Sequence, residues 1–266
     1  NKTKHSFELF LAQRLSTVSF IASAYPLEEL ADENALNRIF RVMRQEFGGF
    51  IDIGLIDERG IQISYVGPYD LKGKDYTEQS WYHEVVIRGT YVSDVFMGYR
   101  KFPHLVLAVQ RRTDAGKTWI LRATIDTEKF NDLIASMQLD PRSDAFLLNK
   151  SGILQTPSRW YGGILDQFPM ALPPFSTEAN VVQMRDSHGH DVIMTYTYFV
   201  NSPYILAVVK HEGEVLRAWY TLKTEIFFLF VFSVVVIVLV ILKLTEVMVR
   251  RMQESDEKRE AAFRQM

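Results

Sequence analysis

Three clusters in this sequence have residue types that could do chemistry. The first is Asp75-Tyr76-Thr77-Glu78-Gln79-Ser80-Trp81-Tyr82, in which two large aromatics follow a polar run. The second is Thr90-Tyr91-Val92-Ser93-Asp94 with Gly98-Tyr99-Arg100-Lys101-Phe102-Pro103-His104, the densest supply of hydroxyl, carboxylate, guanidinium and imidazole groups. The third is Asp186, His188, His190 and Asp191 around Gly189. The third lacks further ligands at a recognisable metal spacing, and its glycine makes it read as a polar hairpin turn. The chain has no Gly-x-Ser-x-Gly, His-Glu-x-x-His or glycine-rich phosphate loop, so no catalytic residue and no metal ligand is assigned. The first two clusters set hydrogen-bonding groups beside an aromatic wall, which suits reversible binding of a small polar molecule. In a strand Tyr91 and Ser93 share one face while Val92 and Asp94 take the other, which puts Tyr91 and Ser93 inside with Asp94 next to them.

The rest of the chain bounds what such a site can serve. With 266 residues, 47% hydrophobic and 23% charged, it can form one or two folded domains. A net charge of -2 without a basic stripe excludes nucleic acid as an expected partner. The absence of cysteine removes disulfides, thiolate nucleophiles and cysteine-based zinc sites together.

The 17 residues from Ile226 to Leu242 contain one polar member, Ser233. At ~1.5 Å per residue they span about 26 Å, and snorkelling flanks extend this to the hydrocarbon thickness of a bilayer. A transmembrane helix is expected. Lys243, Arg250, Arg251, Lys258 and Arg259 follow it, against the mixed charges of Glu212, Glu214, Arg217, Lys223 and Glu225 before it. The positive side faces the cytoplasm, so residues 1–224 are expected outside a bacterial inner membrane and 245–266 inside. The start at Asn1 suggests a fragment that follows an upstream membrane helix.

The elements that must position the clusters can be read from periodicity. Phe7, Phe10, Leu11, Arg14, Leu15, Val18 and Ile21 recur at three and four, which predicts a long helix ending before Pro26. A second helix is predicted over 34–47, stopped by Gly48-Gly49, and then a hairpin of Phe50–Asp57 and Gly60–Val66. Strands over 90–97, 105–111 and 118–126 and a short helix over 127–137 complete a membrane-distal module, 1–140. A membrane-proximal module, 141–211, repeats the order with strands at 145–149, 153–156, 180–185, 192–199 and 204–210. An exit and transmembrane helix follows over 212–244 and a juxtamembrane signalling helix over 245–266. The tail has a weak heptad seam, Thr245, Met252, Arg259 and Met266 with Met248, Ser255 and Ala262. The fold class is α+β: a long N-terminal helix and two antiparallel-sheet modules in series, then a transmembrane helix.

On this order of elements and the Trp81-Tyr82 pair, residues 1–224 resemble the tandem-module, PAS-like double Cache sensor domains of bacterial membrane receptors. In the amino-acid-binding branch of that family an Arg two before the Trp clamps the ligand carboxylate, and the Trp-Tyr pair lines the pocket. An Asp closing the last strand takes the ammonium. Here the Arg position holds Gln79, while Asp126 matches the Asp. Charge-assisted bonds contribute roughly 1.5–3 kcal/mol against about 1 for neutral ones, so Gln would cost one to two decades of carboxylate affinity. The resemblance therefore implies a neutral pocket and a ligand other than an α-amino acid, unless Arg100 or Arg88 supplies the charge.

The candidate ligand residues are Gln79, Trp81, Tyr82, Tyr91, Ser93, Asp94, Tyr99, Arg100, His104 and Asp126. Core packing is the competing role for Trp81, Tyr82 and Tyr91, internal pairing for Asp94, Arg100 and His104, and helix capping for Asp126. The resemblance further implies the sensory part of a two-component histidine kinase acting as a homodimer, with a small-molecule ligand in the distal module. No cofactor is expected within these residues. ATP and a response regulator belong to a kinase part beyond Met266. A chemoreceptor, a diguanylate cyclase or a membrane-anchored protein-interaction module are the alternatives.

Overall fold

The computed structural model describes residues 2–140, 143–186 and 189–263, without the side chains of 212–222 and 253–263. Pro141, His188 and Met266 lie outside the described residues, as do the seam side chains Ser255, Arg259 and Ala262.

Helix α1, Lys2–Ala24, buries Phe7, Leu11, Val18 and Ile21 along one stripe and stops just before Pro26, whose ring cannot continue a helix. A short helix α2, Leu27–Ala31, leads to α3, Glu33–Phe47, where the Asp32 carboxylate accepts from the Asn34 N–H at 3.1 Å. Gly48 ends α3 at φ 61, a backbone conformation that favours glycine.

The distal sheet comprises β1 (Phe50–Ile56), β2 (Gln62–Val66), β3 (Thr90–Val92), β4 (Leu105–Arg112) and β5 (Thr118–Ile125) in the order β2-β1-β5-β4-β3, all antiparallel. Period-two alternation gives the sheet two unlike faces. Ile53, Leu55, Leu107, Val109, Leu121, Ala123 and Ile125 face α1 and α3 in one apolar core. Ile56, Val106, Ala108 and Ile120 form a second core on the other face with Tyr76, Trp81 and Val85. A one-residue bulge between Phe50 and Asp52 on β1 changes the phase. Phe50 therefore joins the helix-side core, while Asp52 falls on the opposite face beside Thr124.

The run containing Trp81 and Tyr82 forms a helix, α4 (Ser80–Arg88), which lays Trp81 and Val85 on the sheet at i,i+4 spacing. The strand expected over 90–97 ends at Val92, because residues 93–95 turn their polar groups to the proximal module.

Helix α5, Glu128–Ala135, leads to the proximal sheet of β6 (Ser143–Asn149), β7 (Asn180–Arg185), β8 (Asp191–Tyr198) and β9 (Tyr204–His211), in the order β6-β9-β8-β7. The strand expected over 153–156 is reduced to isolated bridges, Leu148 with Leu154 and Ile153 with Gln167. Residues 1–211 form one compact unit. The N-terminal half of α1 reaches the proximal sheet, where Phe7 meets Phe130 at 5.6 Å and Phe199 at 5.9 Å between ring centroids. At ~1.5–3 kcal/mol per fully buried large apolar side chain, this aromatic cluster is a substantial tie between the two sheets.

The second unit, 212–266, contains helix α6, Glu212–Phe263. Within it Lys223–Met252 is long and apolar enough to cross a bilayer.

Candidate ligand-binding site

The face of the distal sheet under α4 carries charge. Arg122 projects from β5 at 1% exposure, and Asp52 from β1 is fully buried. Arg100 reaches the same carboxylate from the 3₁₀ turn Gly98–Arg100, so Asp52 lies between two guanidiniums, with Arg122 Nη1 at 3.3 Å. The Tyr65 hydroxyl donates to Asp52 Oδ2 at 3.0 Å and the Thr124 hydroxyl donates to Oδ1 at 2.9 Å. Arg122 Nε donates to Gln62 Oε1 at 2.8 Å, while the Gln62 amide donates to the Leu71 carbonyl at 2.9 Å. The Arg122 guanidinium also lies 5.2 Å from the Tyr76 ring centroid, and that of Arg100 lies 5.2 Å from Tyr69.

This network is satisfied on one side only. Two guanidiniums face one carboxylate, leaving a net positive charge in a buried site. Arg100 Nε and Nη1, Arg122 Nη2 and Trp81 Nε1 are buried without a hydrogen-bond partner among the described residues. Unpaired buried donors of this kind are costly, and donors to a charged partner are worth most. His104 adds no charge at neutral pH: burial, and next the Arg100 guanidinium, push its imidazole down to about 4. Its Nδ1 lies 2.8 Å from the Phe102 carbonyl, so the neutral ring donates there.

Arg100, Arg122, Trp81, Gln79, Tyr99 and His104 line a cavity of about 10 Å³ together with Tyr76, Leu71 and Phe96. Such a space holds about one water, so anything larger must move the segment around Tyr99. Tyr99 is 43% exposed, packs edge-on against Tyr76 at 5.4 Å and donates its hydroxyl to the Asp75 carbonyl.

The candidates from the sequence thus divide. Gln79, Trp81, Tyr99, Arg100 and His104 line this first cavity, while Tyr91, Ser93 and Asp94 line a second one that shares Trp81 with it. Tyr82 packs edge-on to Trp81 and lines neither. Asp126 accepts from the Glu128 N–H at 2.9 Å at the start of α5 and also lines neither. Arg88 pairs with Glu84 on the exposed face of α4. The neutral surroundings expected from Gln79 are not found, because Arg100 and Arg122 bring the charge from other elements. Arg122, Asp52, Thr124 and Gln62 were not singled out from sequence. The available signal was an Arg and a Thr two apart inside the apolar run Trp119-Ile120-Leu121-Arg122-Ala123-Thr124-Ile125.

In the proximal module, the Asp186 carboxylate accepts from the His190 N–H at 2.8 Å and closes the turn read from sequence. His211 on β9 joins this turn, so that ligating atoms of Asp186, His190 and His211 lie within 4.8 Å of one another.

By sequence, no family model matches the chain, and no curated protein matches it. Solved structures do match. The extracellular domain of rpHK1S-Z16, described as a histidine kinase, superposes with a TM-score of 0.60 at 19% identity, over 81% of this chain and 91% of that one. The ligand-binding domain of the Pseudomonas aeruginosa PAO1 chemoreceptor PctB, in complex with L-Gln, gives 0.60 at 15% identity over 79% and 87%. That of the Campylobacter jejuni chemoreceptor Tlp3, with L-valine, gives 0.56 at 14% identity over 79% and 89%. The long helix, the two antiparallel sheets in series and these superpositions together give the chain the double Cache fold of the extracellular sensor domains of histidine kinases and chemoreceptors.

Proposed function

We propose that this chain is the extracytoplasmic sensor and transmembrane part of a bacterial histidine kinase, and that its distal module binds a small carboxylate. One observation carries the ligand class: buried guanidinium N–H groups of Arg100 and Arg122 without partners, in a site of net positive charge. Related folds bind amino acids, among them L-Gln and L-valine, so a carboxylate is a feature this chain's ligand would share with theirs. Among the described residues no acidic side chain lines the first cavity, which leaves an ammonium without a counter-ion there. Gln79 and Trp81 Nε1 would complete the donor set around the anion, and His104, neutral, could accept from a ligand hydroxyl.

In this reading the ligand closes the Tyr99 segment over itself, and the shift passes through the aromatic cluster and the proximal sheet to α6. A coupling of about 1–3 kcal/mol is sufficient for such a switch. Pairing of two copies is supported by Phe20, Val42 and Phe47, which leave an exposed apolar face on α1 and α3. The kinase part, its ATP and its response regulator would follow Met266. A chemoreceptor is the second reading, favoured by the PctB and Tlp3 superpositions, and the residues after Met266 distinguish the two.

The test is a thermal-shift series on the chain in nanodiscs with formate, acetate, pyruvate, lactate and succinate, beside their uncharged amides. Saturable stabilisation by an acid and not by its amide supports the proposal. Equal response to acid and amide, or a response to none of the acids, contradicts it.

A further inference from the structure

Trp81 and Phe96 also line a second cavity, of about 330 Å³, within the range of small-molecule sites. Asp94, Val95 and Met97 reach it from the segment after β3, and Asn149, Ile153 and Leu165 from the proximal module. The walls are largely aromatic and apolar, with the polar residues Ser80, Ser93 and Asn149, and among the described residues the one charged group that lines them is the Asp94 carboxylate.

That carboxylate is half provided for. Its Oδ2 accepts from the Asn149 side-chain amide at 2.8 Å, and its Oδ1 is buried with no partner among the described residues. One neutral amide is poor compensation for a desolvated carboxylate. Burial accordingly pushes the Asp94 carboxyl above the ordinary range, with the Asn149 bond and, more weakly, the Lys150 charge opposing it. Lys150 itself is exposed and does not line the cavity, and neither does any other Lys, Arg or His. The Arg88 guanidinium already lies 5.9 Å from the Tyr91 ring centroid.

We propose that this cavity is a second ligand site, selective for a small organic cation such as a primary ammonium with an apolar tail. Asp94 is its counter-ion, and Trp81, Tyr91 and Phe96 form its aromatic wall. An ammonium brings the Asp94 carboxylate a counter-charge, while aromatic faces attract a desolvated cation and apolar walls accept the tail. An anion is repelled by Asp94, and an uncharged isostere leaves the carboxylate as it is. The site bridges the two modules, so occupancy would fix the 93–97 segment against β6. The proposal does not rest on the carboxylate reading, whose donors Arg100 and Arg122 line the first cavity.

Isopentylamine and phenethylamine, with isopentanol and phenethyl alcohol as uncharged counterparts, are titrated calorimetrically into the full chain in nanodiscs at neutral pH. The amines are expected to bind at least tenfold more tightly than the alcohols. Asp94→Asn, which keeps the shape and can still meet Asn149, is expected to weaken the amines at least tenfold. Tyr82→Phe, which lines neither cavity, is expected to leave them unchanged. Ile153→Trp, filling the cavity from the proximal side, is expected to abolish binding and guards against a misfolded Asp94 variant. Equal affinity for amine and alcohol, an Asp94→Asn chain that binds amines as wild type does, or amine binding lost in Tyr82→Phe overturns the proposal.

Discussion

Gly54 stands directly opposite Arg122 in the β1–β5 pairing, and its missing Cβ is what lets Gln62 reach the Arg122 guanidinium. A Cβ at Gly54 would lie 2.7 Å from Gln62 Oε1 and 2.9 Å from Gln62 Cδ. The Gln62 side chain cannot yield easily, since it is fully buried and hydrogen-bonded at both ends.

Gly54→Ala is therefore expected to destabilise the sensor unit by about 1–3 kcal/mol, the usual cost of overpacking. The double variant Gly54→Ala, Gln62→Ala should lose less than the two single losses added together, because the clash needs both side chains. Chemical denaturation of the four chains measures this coupling; strict additivity would show that the contact is not the cause.

The charge balance around Asp52 gives a rank order. Asp52→Asn leaves two buried guanidiniums without a carboxylate and is expected to cost about 3–5 kcal/mol. Arg122→Gln leaves Asp52 paired with Arg100 and should cost clearly less. Urea midpoints at fixed pH test the order, and an Arg122→Gln loss equal to that of Asp52→Asn would contradict it.

His104 makes stability depend on pH. Its folded pKa is about 4 against 6.5 for the free side chain, so between these values the unfolded chain binds more protons. Stability is full above about pH 6.5 and falls as the pH drops toward 4, by at most ~1.4 kcal/mol per unit from this group. His104→Asn can still donate to the Phe102 carbonyl, and should flatten this part of the profile. An unchanged slope in that variant would assign the acid sensitivity to other groups.

Communication between the sheets can be probed at Tyr204. Its fully buried hydroxyl donates to the Ser93 carbonyl at 2.7 Å, beside the Val95 N–H to Gln155 bond of 2.6 Å. Tyr204→Phe is expected to cost about 1–2 kcal/mol. Hydrogen exchange at residues 93–95 should rise in this variant while exchange in β5 stays unchanged; uniform faster exchange would indicate a global effect.

Much of the scaffold was legible in the sequence because it rests on local periodicity. The α1 stripe, the Pro26 and Gly48 stops, the hairpin at 57–60 and the Ile226–Leu242 run each carry their own signal. In helix α4, Val85-Val86-Ile87 favours strand locally, whereas packing of Trp81 and Val85 on the sheet decides for helix. Strand β3 stops at Val92 and not at residue 97 because the partners of residues 93–95 lie more than fifty residues away in sequence. The site was read around Gln79, a change of residue type within a motif, while the charge enters from β5 through Arg122. Only the pairing register and the bulge at Asp52 reveal that Arg122, Thr124 and Asp52 share a face.

Arg100 and Arg122 are proposed to bind an anion together in the distal module. Calorimetric titration of the chain in nanodiscs with the tightest-binding acid of the tested panel, comparing wild type, Arg122→Gln and Tyr82→Phe, measures this. A lost charge-assisted bond of roughly 1.5–3 kcal/mol corresponds to an affinity about ten- to a hundredfold weaker in Arg122→Gln. Tyr82→Phe, outside the cavity, should bind as wild type does. An Arg122→Gln chain that folds and binds the acid with wild-type affinity would contradict the account.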